Sequence, residues 1–92
     1  MSSLLELAEK IQLVQTCGAC PEQYDAFIDG ELVGYLRLRH GSFTVQYPNV
    51  SGELIYSAEP KGDGIFEDDE REGYLIAARF AIINKHKEKM DE

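Results

Sequence analysis

The sequence predicts an α+β fold of order α-β-β-β-β-α: an antiparallel meander sheet with the N- and C-terminal helices packed on one face. Three observations lead there. Asp29-Gly30 and His40-Gly41 punctuate the stretch Tyr24 to Tyr47 into three alternating runs. An apolar stripe at helical spacing precedes that stretch, and a nearly continuous apolar segment, Tyr74 to Ile83, follows it. The expected layout is a single domain over 1–92, with a helix over 1–16, the sheet over 22–58, a loop over 59–69 and a helix over 70–88.

Ser3-Leu4-Leu5-Glu6 is a capping box, in which the serine satisfies a first-turn amide and Glu6 reaches back. Leu4, Leu7, Ala8, Ile11 and Val14 then recur at helical spacing and predict a helix to about Thr16, where Gly18 can supply a left-handed terminator.

Cys17-Gly18-Ala19-Cys20 follows. A CxxC can be a redox pair, half of a zinc site, or two thiols at a turn. Redox motifs set the first cysteine at a helix N-terminus, where the dipole lowers its pKa, and here the motif follows a helix. Zinc at Cys17 and Cys20 needs two further ligands, and the histidines are His40 and His86. Structural thiols are the simplest of the three readings.

Asp29-Gly30 between alternating runs is a strong hairpin signal, because a type I′ turn needs positive φ at both central residues. With two-residue loops, Phe27 opposes Leu32, Leu38 opposes Phe43 and Leu36 opposes Val45, all on a core face. Tyr24, Val33, Tyr35, Arg37, Arg39, Ser42, Thr44 and Gln46 then share the opposite face.

Pro48 to Gly52 reads as a loop and Glu53 to Ala58 as a fourth strand, with Leu54, Tyr56 and Ala58 on one face and Ile55 on the other. Pro60 to Gly64 is turn-rich. The run Glu67-Asp68-Asp69-Glu70 lacks the spaced ligands of a calcium loop; carboxylates suit a helix start, with Asp68 or Asp69 as cap and Glu72 completing a box. Between Tyr74 and Ile83 the sole polar residue is Arg79, so the last helix needs two covers: the sheet, and either the first helix or a second copy of the chain.

Ninety-two residues with 43% apolar and 28% charged side chains make one ordinary folded domain. A net charge of −8 argues against direct nucleic-acid binding, which needs a basic surface. With no apolar run of bilayer length and no leader-like start, a cytoplasmic protein without a membrane partner is expected.

No nucleophile elbow, phosphate loop or paired-histidine motif stands out, so a non-enzymatic role is expected, with no cofactor beyond zinc at the CxxC. The candidate ligand-binding residues are Tyr24, Tyr35, Arg37, Arg39, His40, Thr44 and Gln46. Two arginines two residues apart on a strand project together, and with tyrosines beside them they suit a small anion carrying a planar base. The alternative is a solvated face whose arginines pair with Asp25 or Glu31.

The runs GYLRLRHGSFTV and GELIYSAEPKGDGIFEDDEREGYLIAARFAI resemble short phage- and prophage-encoded proteins without an assigned activity, over about Cys20 to Ile83. The Tyr-Leu-Arg-Leu-Arg-His-Gly core and the Gly-Asp-Gly and Asp-Asp-Glu-Arg runs are the distinctive parts. DGELVGYLRL is also similar to the central hairpin of acyl-CoA N-acetyltransferases, but the glycine-rich pyrophosphate loop of that fold is lacking.

The phage resemblance implies a setting, the host cytoplasm, and suggests counter-defence. One mechanism is a homo-oligomeric sponge, joined through the C-terminal helix, for an anionic nucleotide. A second is an acidic nucleic-acid mimic, of anti-CRISPR type, that presents Asp63 and Glu67 to Glu72 to a basic host defence protein. A third reading is a small structural or zinc-stabilised module.

Overall fold

The computed structural model describes residues 4–18 and 21–90. The elements are α1 (Leu4–Glu9), β1 (Gln12–Cys17), β2 (Glu22–Ile28), β3 (Glu31–Arg39), β4 (Ser42–Tyr47), β5 (Glu53–Ala58) and α2 (Asp68–Met90). The strands form one antiparallel meander in the order β1-β2-β3-β4-β5, and α2 packs on one face of it. The α+β meander expected from sequence is therefore present, with one strand more than expected.

That strand replaces the C-terminal part of the expected first helix, from Gln12 onward. α1 stops at Glu9, the Ile11 amide donates to the Ala8 carbonyl at 3.2 Å, and Gln12–Cys17 pairs with β2. The apolar stripe holds through Ala8 and Ile11, both buried, and fails at Val14, which is 51% exposed. A short apolar run fits either periodicity. Here Val14 and Thr16 favour a strand, and the open edge of β2 offers a ladder that a helix could not satisfy. The expected cap Ser3 lies outside the described residues.

Both tight turns form as expected. Asp29 and Gly30 have φ of 50° and 83°, and His40 and Gly41 have 53° and 73°. These are the paired positive values of a type I′ loop. β3 and β4 pair as read, with Leu36 opposite Val45 and Leu38 opposite Phe43, all four buried.

Two bulges reverse the faces elsewhere. Ala26 pairs with Gly34 and Phe27 with Leu32, so Val33 is the extra residue on β3. Val33 therefore turns into the core at 1% exposure, Leu32 is exposed, and Phe27 falls on the outer side. The reading of Phe27 and Leu32 as core, and of Val33 as outward, is corrected accordingly. Gly34 lies where α2 crosses the sheet: a Cβ there would stand 2.6 Å from Ile82 Cδ1. The second bulge sets Val45 opposite Tyr56 and Gln46 opposite Leu54, so Ile55 and Tyr56 both pack toward the core while Leu54 is exposed.

The core lies between the inner sheet face and α2. Leu36, Leu38, Phe43 and Val45 meet Ala78, Ile82 and Ile83, and Phe66 stacks on Tyr74 with ring centroids 5.6 Å apart. Ala8 and Ile11 complete this core, so the second cover of α2 comes from α1 and the turn after it. The opposite face of the sheet carries no packed element of the described chain.

Candidate functional site

The uncovered face is built outward from β3. Alternation places Tyr35, Arg37 and Arg39 on it, each with a defined neighbour across the ladder. Tyr35 lies between Asp25 and Gln46, Arg37 between Gln23 and Thr44, and Arg39 beside Ser42. Tyr35 is held in place, its hydroxyl donating to Gln23 Oε1 at 2.8 Å. Gln46 is also engaged, since its Nε2 donates to the Val50 carbonyl at 3.0 Å and ties β4 to the following loop.

Neither Arg37 nor Arg39 has a carboxylate at ion-pair distance among the described residues, Asp25 and Glu31 included. Arg71, by contrast, pairs with Glu22 and Asp68, and Lys61 with Glu67 and Asp69. Two adjacent guanidiniums therefore keep their donors available on an open face, an arrangement that suits bidentate binding of phosphate or carboxylate.

At the end of this row a cleft of about 280 Å³ is lined by Arg39, His40, Asp63 and Gly64. Its far wall is the loop over 60–66, fixed on both sides. Gly41 N–H donates to the Asp63 carbonyl at 2.7 Å, and Glu22 N–H donates to the Gly64 carbonyl at 2.9 Å. The turn thus brings His40 beside Arg39.

Tyr24 does not belong to this face. The bulge at Val33 makes it the partner of Leu36 on the inner side, where it is buried. Its hydroxyl donates to Glu22, the one buried charged residue of the described core. Arg71 reaches the same carboxylate with Nε at 3.0 Å and Nη2 at 3.3 Å, and the Phe66 amide adds a bond at 3.0 Å. Burial pushes the Glu22 carboxyl up, but the bonds from Arg71, Tyr24 and Phe66 outweigh it and hold the group below its ordinary value. Burial, reinforced by the neighbouring Glu22, pushes Tyr24 up to about 12.

Sequence reading missed this cluster. Its signal was Glu22 in phase with Tyr24 and Ala26, visible once the register of β2 is known. The cluster is fully bonded, and it clamps the start of β2 to Phe66 and the first turn of α2. Its role is to hold the wall of the cleft in place.

The acidic run starts α2 as expected, but the cap is Glu67 rather than Asp68 or Asp69, and the residue that reaches back to it is Glu70 rather than Glu72. Glu70 donates nothing and accepts three amides, Lys61 at 2.8 Å, Gly62 at 2.8 Å and Glu67 at 3.0 Å, so Glu67 is the cap and Glu70 closes the box.

Cys17 ends β1 opposite Gln23, and Cys20 lies outside the described residues. His86 Nδ1 is 2.7 Å from the Tyr47 hydroxyl. Among the described residues no three His, Cys, Asp or Glu side chains are grouped to hold a metal, and no helix is long and apolar enough to cross a membrane. No protein-family model, curated protein or solved structure matches the chain.

Proposed function

We propose that this protein is a small non-enzymatic binder that captures an anionic, nucleotide-like ligand on the open face of its sheet. Arg37 and Arg39 take the phosphate, Tyr35 and Thr44 flank it, and the Arg39–His40 cleft receives the remainder of the ligand. The observation that carries this reading is the pair of neighbouring guanidiniums without a carboxylate partner among the described residues, on a face that no described element covers. A solvated, merely structural arginine row would be expected to pair with the nearby Asp25, since Glu31 stands at the opposite end of β3. In a phage setting such capture amounts to a sponge for a nucleotide signal of host defence.

The acidic-mimic alternative is less favoured, because four of its carboxylates, Glu67, Asp68, Asp69 and Glu70, already have partners within the chain. Glu70 holds the loop over 61–67, Lys61 engages Glu67 and Asp69, and Asp68 pairs with Arg71.

The test is calorimetric titration of the full chain with a panel of mononucleotides and cyclic dinucleotides. At least one is expected to bind, more weakly as salt rises. Arg37→Ala with Arg39→Ala should abolish that binding, while Asp68→Lys with Asp69→Lys should leave it. If no member of the panel binds with Kd below about 1 mM (about −4 kcal/mol), or if the double alanine variant binds as wild type, the proposal fails.

A further inference from the structure

The cleft at the end of the arginine row holds one charged group that phosphate binding does not use. Asp63 and Gly64 share about 280 Å³ of space with Arg39 and His40. The backbone of this wall is fixed, because the Asp63 carbonyl accepts from Gly41 N–H at 2.7 Å and the Gly64 carbonyl from Glu22 N–H at 2.9 Å. The Asp63 carboxylate itself enters none of the ion pairs of the described residues. It lies beside the His40-Gly41 turn, where a Cβ on Gly41 would stand 3.8 Å from its Oδ1. Arg39 and Asp63 thus line one cleft with opposite charges, and no ion pair between them closes it.

An ionised carboxylate only accepts hydrogen bonds. It repels phosphate, which therefore stays on Arg37 and Arg39, and it holds a ligand edge that offers two adjacent N–H donors. Among the common nucleobases guanine has such an edge, N1–H beside the N2 amino group. Adenine and cytosine set a ring-nitrogen lone pair next to their one amino group, and uracil flanks its single N–H with two carbonyls. Each of these would turn an acceptor toward Asp63. The cleft lies at the low end of small-molecule sites, about 300–1,000 Å³, which suits a single base, and His40 adds an aromatic ring for stacking.

We infer that the ligand is a guanine nucleotide, its base read in this cleft by the Asp63 carboxylate while its phosphate lies on Arg37 and Arg39. The inference rests on nucleotide capture by that arginine pair and goes beyond it by naming the base.

Calorimetric titration of the full chain with GMP, IMP, AMP, CMP and UMP tests it. GMP should bind at least about tenfold more tightly than AMP, CMP or UMP, the worth of one charge-assisted bond. IMP, which keeps N1–H and lacks the amino group, should fall between. Asp63→Asn keeps the backbone bond to Gly41 but sets an amide donor against one of the guanine donors, so the preference for GMP over AMP should shrink to within about twofold. Glu59→Gln makes the same change in net charge at an exposed position outside the cleft and should retain the preference, with circular dichroism reporting that both variants fold. A wild-type chain that binds GMP and AMP alike, or a folded Asp63→Asn variant that retains the preference, overturns the guanine assignment and leaves the arginine site standing. Binding of no nucleotide in the set, or undiminished binding by Arg37→Ala with Arg39→Ala, overturns both.

Discussion

Replacing Glu22 by glutamine keeps the shape of a side chain that is wholly shielded from solvent and removes its charge. The carboxylate accepts from Arg71, from the Phe66 amide and from the Tyr24 hydroxyl. Glutamine can keep the Phe66 bond on its oxygen, and its amide nitrogen then faces Tyr24 and Arg71 Nε. The hydroxyl can rotate and accept. A guanidinium cannot, so that charge-assisted bond is lost, at about 1.5–3 kcal/mol. Loss of the counter-charge adds to this, although Arg71 is 30% exposed and keeps Asp68 at 2.9 Å.

The expected cost is about 3 kcal/mol, the low end for breaking a buried pair. In a domain of this size that lowers Tm by about 12–24 °C. Urea unfolding at pH 7, followed by circular dichroism, measures it. The pH dependence supplies a second readout. The Glu22 carboxyl sits below its ordinary 4.5 in the folded chain, so its contribution is full above that value and lost as pH falls through the folded pKa. The gap between wild type and Glu22→Gln should hold from pH 7 to about 4.5 and narrow below it. A gap within about 0.5 kcal/mol at pH 7, the range of ordinary surface substitutions, would refute the reasoning.

Three other outcomes follow from the geometry. Gly34→Ala puts a methyl 2.6 Å from the fully buried Ile82 Cδ1 and should cost about 1–3 kcal/mol in the same unfolding assay. Glu70→Ala removes the acceptor of three loop amides, and hydrogen exchange should quicken at Lys61, Gly62 and Glu67 while the sheet amides stay protected. In an alkaline absorbance titration, the Tyr24 phenol should ionise near 12, and Tyr24→Phe should remove that step. Because the Tyr24 pKa is raised on folding, its stabilisation is full below about 10 and disappears as pH climbs toward 12.

Local chemistry was enough to read the hairpin core. Asp29-Gly30 and His40-Gly41 demand positive φ, and the alternation between them sets β3 against β4; from that alone Leu36, Leu38, Phe43 and Val45 go inward and Arg37, Arg39 and Thr44 outward. The long apolar helix and its acidic start were equally plain. What lay beyond local reading was parity. Val33, a good strand residue, gives no hint that it is the extra one; the bulge goes with the close crossing of α2, which leaves no room for a side chain at position 34. From that one insertion Tyr24 moves from the outer face into the core, Glu22 becomes a buried charge, and Phe27 leaves the core for the open face. β1 likewise depended on an edge that exists after β2 has paired. The sequence determined the turns and the alternating runs because these need only neighbouring residues. Which face each run presents, and what Glu22 meets there, was decided by packing between residues as far apart as Gly34 and Ile82, which no local pattern encodes.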